Sequence, residues 1–162
     1  MKSSLLRLAL IAAVVTGFVA CKKSDPHASH DHSAHKHEHV APHGGTAVVL
    51  GDELYHLELV LDATKGLLQV YVLDGELEKF VRITDPAIEL TATAGGLTHT
   101  LVLKPSTNDA TGETVGDTSL YEAQAEWLKT TPVFDAVVKL VSIRGKEFQD
   151  VKFNFPKGNE AH

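Results

Sequence analysis

Sulfur is nearly absent from this 162-residue chain, which has one cysteine, Cys21, and one methionine, Met1. A single cysteine forms no internal disulfide. Loss of Met1 on processing and modification of Cys21 would leave no soft sulfur ligand, which argues against a Cu(I) carrier. Basic charge is also short, with 15 Lys and Arg against 21 Asp and Glu, for a net charge of −6. Removing residues 1–20 takes away two cations, Lys2 and Arg7, and brings this to −8. So acidic a chain lacks the clustered Lys and Arg that displace counterions from phosphates, so no nucleic-acid partner is expected. The longest apolar run, residues 8–20, has 13 residues and is broken only by Thr16 and Gly17. A bilayer-spanning helix needs about 20. There is no Gly-x-Ser-x-Gly, no His-Glu-x-x-His and no cysteine placed as a nucleophile. Scattered Ser, His and Asp do not make a triad, and no enzyme is expected.

What is present falls into three parts. The first is residues 1–20: a basic start, a short apolar middle and small residues before Cys21, the pattern of a secretory signal. Val19-Ala20-Cys21 resembles a bacterial lipobox, which implies cleavage before Cys21 and lipidation of its side chain and amine. Acyl chains contribute roughly 0.8 kcal/mol per buried CH₂, so two or more anchor stably. Lys22 stands where an inner-membrane retention signal has Asp. By the same resemblance the expected location is the outer membrane, facing the periplasm.

The second part, residues 21–42, follows the lipidated cysteine with Lys, Ser, Asp, His, Ala and Pro and shows no apolar periodicity. It cannot bury enough apolar surface to offset the entropy of ordering, so a disordered tether is expected. As a flexible coil it would span roughly 25 Å. Seven of the ten histidines fall within residues 27–43: His27, His30, His32, His35, His37, His39 and His43. Imidazoles two residues apart, as in His30-x-His32 and His35-x-His37-x-His39, can close around one cation, and imidazole suits Zn, Cu, Ni and Fe. With soft sulfur missing, the expected cofactor is a divalent ion: Zn, Cu(II), Ni or Co, with Zn or Cu(II) first.

The third part, residues 43–156, alternates apolar and polar positions with period two. Candidate strands cover 45–50, 54–62, 67–73, 87–94, 97–104, 120–127, 136–144 and 148–155. Turn signals stand at Asp74-Gly75, Gly95-Gly96 and Gly145-Lys146. The predicted fold is an all-β antiparallel sandwich, immunoglobulin-like in the loose sense because it lacks the cysteine pair. Trp127, Tyr121, Phe153 and Phe155 are expected in the core. Residues 130–135 have room for one helical turn at most. Residues 104–118 read as a mobile polar loop, and 157–162 as a C-terminal tail. With the first strand beside the second, His43, His56 and Glu58 would share a face and offer a second, three-ligand metal site. His99 alternates with Leu97 and Leu101 and reads as a packed or edge histidine, not a ligand.

Four short segments carry a resemblance: Pro42-His43-Gly44-Gly45, Leu50-Gly51-Asp52, Tyr55-His56-Leu57-Glu58-Leu59 and Tyr71-Val72-Leu73-Asp74-Gly75. They are similar to small His-tailed envelope lipoproteins of bacteria and to N-terminal segments of periplasmic adaptor subunits of heavy-metal efflux systems. The resemblance implies metal handling in the envelope, with an efflux system as the partner. The competing expectation is a protein–protein interaction module on a polar tether, with no metal role.

Overall fold

The computed structural model describes residues 40–160. Residues 1–20, expected to be a signal, together with Cys21, the histidines from His27 to His39, and His162, lie outside the described residues. Eight strands follow one another: β1 Thr46–Leu50, β2 Tyr55–Asp62, β3 Leu67–Asp74, β4 Ile88–Ala94, β5 Leu97–Pro105, β6 Leu120–Gln124, β7 Phe134–Ile143 and β8 Lys146–Phe155. Each begins and ends within about two residues of its predicted span, except β6. That strand gives way at Ala125 to a 3₁₀ turn, Glu126–Lys129. This helical turn therefore precedes the place expected for one. The turn puts Leu128 in the core and leaves Trp127 only partly buried, against the expectation that Trp127 is a core residue.

All pairings are antiparallel, and the strand order is β1-β2-β3-β6-β5-β4-β7-β8. The chain is therefore all-β, as its alternation predicts, with its strands in one nearly closed sheet. Two joints of that sheet are weak. β5 and β6 share only the pairs Lys104↔Glu122 and Pro105↔Tyr121. On the far side, the chain after β8 reaches back to β1. Thr46 Oγ1 donates to the Pro156 carbonyl at 3.2 Å, and the Asn159 side chain bonds the Val49 backbone. Residues 156–159 thus take part in closing the sheet instead of trailing from it.

Strand alternation sends one set of side chains inward. Val48, Leu50, Leu57, Leu59, Leu68 and Val70 from β1–β3 meet Ile88, Leu90, Leu103, Val138, Val141 and Ile143 from the other half. Tyr121, Phe153 and Phe155 join this core as predicted. The Tyr121 hydroxyl, fully buried, donates to the Asp85 carbonyl at 2.7 Å. Burial and, after it, the Asp85 charge push its pKa up to about 12.

Residues 104–118 are tied down, where a mobile loop was expected. Bridges join Asn108 to Glu113 and Thr114 to Asp117. Arg82 pairs with Asp117 at 3.1 Å and donates to the Thr111 carbonyl. The buried Glu113 accepts from the Ser119 hydroxyl at 2.7 Å and from the Ser119 amide at 3.2 Å. The expectation rested on polarity alone. The partner that orders the loop, Arg82, stands some thirty residues earlier in the chain.

Candidate functional site

The site lies on the outer face of β2 and β3, where the chain enters the domain. Residue 42 is proline, which holds Ala41 extended. A turn follows, in which the Gly44 amide donates to the Ala41 carbonyl at 2.9 Å. Gly44 has φ +68°, a conformation that favours glycine. Gly45 then passes so close to β2 that a Cβ there would lie 2.5 Å from the Leu59 carbonyl oxygen and 2.9 Å from the Glu58 Cγ. The two glycines therefore have different reasons: one needs the turn, the other the close approach.

That approach brings backbone donors onto Glu58, whose side chain is fully buried. Glu58 sits in register with Ala47 on β1 and Tyr71 on β3. Its Oε1 accepts from the His43 amide at 2.7 Å and the Gly45 amide at 3.0 Å. Its Oε2 lies 2.8 Å from the His43 Nδ1. A buried carboxylate is costly unless several donors satisfy it, and three do so here.

The imidazole that completes this set is itself held. It stacks on Tyr71 with centroids 4.0 Å apart and 20° between the planes, and Phe80 tilts against it at 5.6 Å. Tyr71 and Phe80 meet at 5.9 Å. Burial, then the charges of Glu122 and Glu58, hold the Tyr71 phenol above its ordinary pKa. Phe80 reaches the site because the chain after β3 folds back. Asp74 Oδ1 accepts from the Glu78 and Lys79 amides at 2.9 and 3.1 Å, and Phe80 bridges to Leu73.

Of the three side chains predicted to share a face, the structure joins His43 and Glu58. His56 is on that face and fully buried, but its Nδ1 lies 3.3 Å from the Asp74 carbonyl oxygen. Among the described residues, no three His, Cys, Asp or Glu side chains are gathered so as to hold a metal ion. The Glu58 oxygens already receive three donors, so Glu58 serves as a clasp for the entering chain. Sequence reasoning did not find Phe80, which lies in a non-periodic turn between Lys79 and Val81. Tyr71 carried a signal, because it alternates with Gln69 on the polar side of β3. His99 packs as expected and stacks on Trp127 at 4.4 Å and 13°.

The four segments that carry the resemblance converge here. Pro42 to Gly45 dock on Glu58 of the second motif strand, and His43 stacks on Tyr71 of the last. Gly75 passes beside Glu53, the residue after the Leu50–Asp52 segment, with its Cβ position 2.3 Å from the Glu53 carbonyl oxygen. They are pieces of one spatial unit, however scattered in sequence. Comparison with protein-family models, curated proteins and solved structures finds no match.

Proposed function

We propose that this chain is a lipoprotein of the bacterial envelope. It is anchored through Cys21, with its outer-membrane attachment facing the periplasm. It binds a divalent transition metal, Zn or Cu(II) first, through His27, His30, His32, His35, His37, His39 and His43. The role that fits is buffering or handing on the ion close to the membrane, with a metal-efflux assembly as the receiving partner. The observation that carries this reading is the density of imidazoles, seven in residues 27–43. Such a run is a compositional mark of metal binding, and imidazole is a good ligand for these ions. The β-domain then acts as the folded body at the end of the histidine segment. The two weak joints of its sheet, at β5–β6 and at β1–β8, support treating it as a flattened sandwich of two four-stranded halves.

The test is calorimetric titration with Zn(II) and with Cu(II). The wild type is compared with a variant in which His30, His32, His35, His37 and His39 are all serine. Loss of most of the binding in the variant supports the reading. Full stoichiometry in the variant, or no binding by the wild type, overturns it. Truncations should begin no later than Val40, because Ala41 is buried and the turn from Ala41 to Gly44 belongs to the fold.

A further inference from the structure

We propose that the free edge of β5 is a docking surface for a second copy of this chain, joined edge to edge as an antiparallel pair. The inference goes beyond the metal-binding reading above and does not depend on it. The Ser106 amide donates to the Leu120 carbonyl at 2.8 Å, so Ser106 turns its backbone groups toward β6. Alternate residues of a strand face the same neighbour, so Lys104, Val102, Thr100 and Thr98 turn theirs the same way. The β5–β6 register nevertheless stops at Lys104↔Glu122. The chain leaves β6 at Ala125 for the 3₁₀ turn, whose Trp127 stacks on His99 and does not continue the ladder. The amides and carbonyls of Thr98, Thr100 and Val102 therefore have no strand beside them among the described residues.

Such an edge is a template for another strand, and natural edges are commonly blunted by a charge, a proline or a bulge. Leu97 to Leu103 has none of these. It contains no Asp, Glu, Lys, Arg or Pro, and its pairing with β4 runs unbroken from Leu97↔Ala94 to Leu103↔Ile88. Lys104 and Pro105 come only where β6 already covers the edge. In a chain of net charge −6, an uncharged edge is where two copies meet with least repulsion. The segment also complements itself. About a two-fold axis at His99, Thr98 falls opposite Thr100 of the second copy and Thr100 opposite its Thr98, and cross-strand threonine pairs are favourable. Leu97 falls opposite Leu101 of the second copy. Leu97 alternates in step with the buried Leu101 and Leu103 but is 65% exposed, and the pairing would cover it. A pairing of this length buries less than about 1,200 Å², the range of transient contacts, so the dimer forms at high concentration and dissociates on dilution.

The test uses the full-length chain and reads amide hydrogen exchange at Thr98, Thr100 and Val102. Raising the protein from about 10 µM to about 1 mM should slow exchange at these amides several-fold by mass action, and leave the β2 amides unchanged. Thr100→Pro removes the N–H at the centre of the free edge without removing a bond to β4, a place where a strand tolerates proline. It should abolish the concentration dependence. A second measurement uses Cys21→Ser, which makes His99→Cys the only thiol of the chain. The paired residues would have Cα atoms about 4.5 Å apart, within reach of a disulfide. Mild oxidation should therefore link two copies much faster than it links Val133→Cys, a control at a residue that is 57% exposed and off this edge. If Thr100→Pro fails to fold, the wild-type exchange series and the cross-linking still decide. Amides protected equally at both concentrations would show the edge already covered and overturn the inference. Amides that exchange fast at both would leave the edge to a strand of some other protein and overturn it too, as would linking of His99→Cys no faster than of Val133→Cys.

Discussion

The side-chain amide of Asn159 pairs with the backbone of Val49 as a neighbouring strand would, accepting from its N–H at 2.8 Å and donating to its carbonyl at 3.0 Å. One residue thus covers part of the open edge of β1 and ties the end of the chain to its first strand. Gly158 makes this possible, because its Cβ position would lie 2.3 Å from the Ala47 carbonyl oxygen. Asn159→Ala should cost about 1–2 kcal/mol, at roughly 0.5–1.5 kcal/mol for each net hydrogen bond. It should also speed hydrogen exchange at the Val49 amide. Unchanged protection of that amide would mean that the edge is closed by something else.

This closure shows where the sequence was legible and where it was not. Alternation in LYHLELVLD and LLQVYVL assigns faces to β2 and β3 directly, because a strand that buries one side must alternate. It therefore also placed His56 and Glu58 together on the outer face. Alternation says nothing about what covers that face. Glu58 reads as a candidate ligand beside His43 and His56 until Gly45 is seen to pass over it and the backbone amides of His43 and Gly45 to bond it. The same blindness explains Trp127 and residues 104–118. Trp127 reads as core by residue type, but the 3₁₀ turn gives the inward position to Leu128. The polar loop reads as mobile until Arg82 is found beside Asp117. For Glu58 and the loop the deciding partner is distant in sequence, for Trp127 it is a local turn, and no periodicity announces any of them.

Gly45 offers a test of the clasp that leaves Glu58 and His43 in place. A methyl group there would meet the Leu59 carbonyl oxygen, backbone that cannot swing aside. Gly45→Ala should push the entering chain off β2 beside the Thr46↔Leu59 pair and destabilise the domain by on the order of 2–3 kcal/mol. The His43–Tyr71 stack should loosen with it, seen as smaller ring-current shifts on the His43 protons. Gly44→Ala makes a useful comparison, since nothing lies within 4 Å of its Cβ position and its cost comes only from the positive φ. A Gly45→Ala chain as stable as wild type would show that β1 can move outward freely.

Alkaline pH should weaken the fold through Tyr121. Its folded-state pKa is raised to about 12 from the ordinary value of 10.0, chiefly by burial. The neutral phenol is the form that the fold accepts. Its contribution is complete below pH 10 and is lost between pH 10 and about pH 12, as the unfolded chain ionises first. Below pH 10 the wild type should be more stable than Tyr121→Phe by about 1 kcal/mol, from the hydrogen bond to the Asp85 carbonyl. Denaturant titrations of both chains from pH 8 to pH 12 should show that margin shrinking above pH 10. A margin that stays constant to pH 12 would mean that Tyr121 does not govern the alkaline limb.

Attachment is tested at Cys21. If cleavage before this residue and acylation place the protein on the membrane, Cys21→Ser should move it from the membrane fraction to the soluble fraction. Its β-domain should melt as in wild type, since Cys21 lies outside residues 40–160. Mass spectrometry of the wild-type amino terminus should find acyl chains on Cys21. Membrane partitioning that survives Cys21→Ser would point to another anchor.

Acidification should unload the metal before it unfolds the domain. An imidazole must be neutral to coordinate, and an unperturbed histidine titrates near pH ~6.5. At pH 7.5 most of the histidines between His27 and His39 should therefore be available, and below about pH 5.5 most should carry a proton. Each proton removes a ligand and adds a positive charge that repels the ion, so release should be steep. Competition at fixed Zn(II) with a colorimetric chelator, stepped from pH 7.5 to pH 5, should show apparent affinity falling more than tenfold. Far-UV circular dichroism should hold its β signal over the same range. The five-fold serine variant should show no such step. Zn(II) affinity that is unchanged at pH 5 would point to carboxylate ligands in place of imidazole and would remove the histidine run from the mechanism.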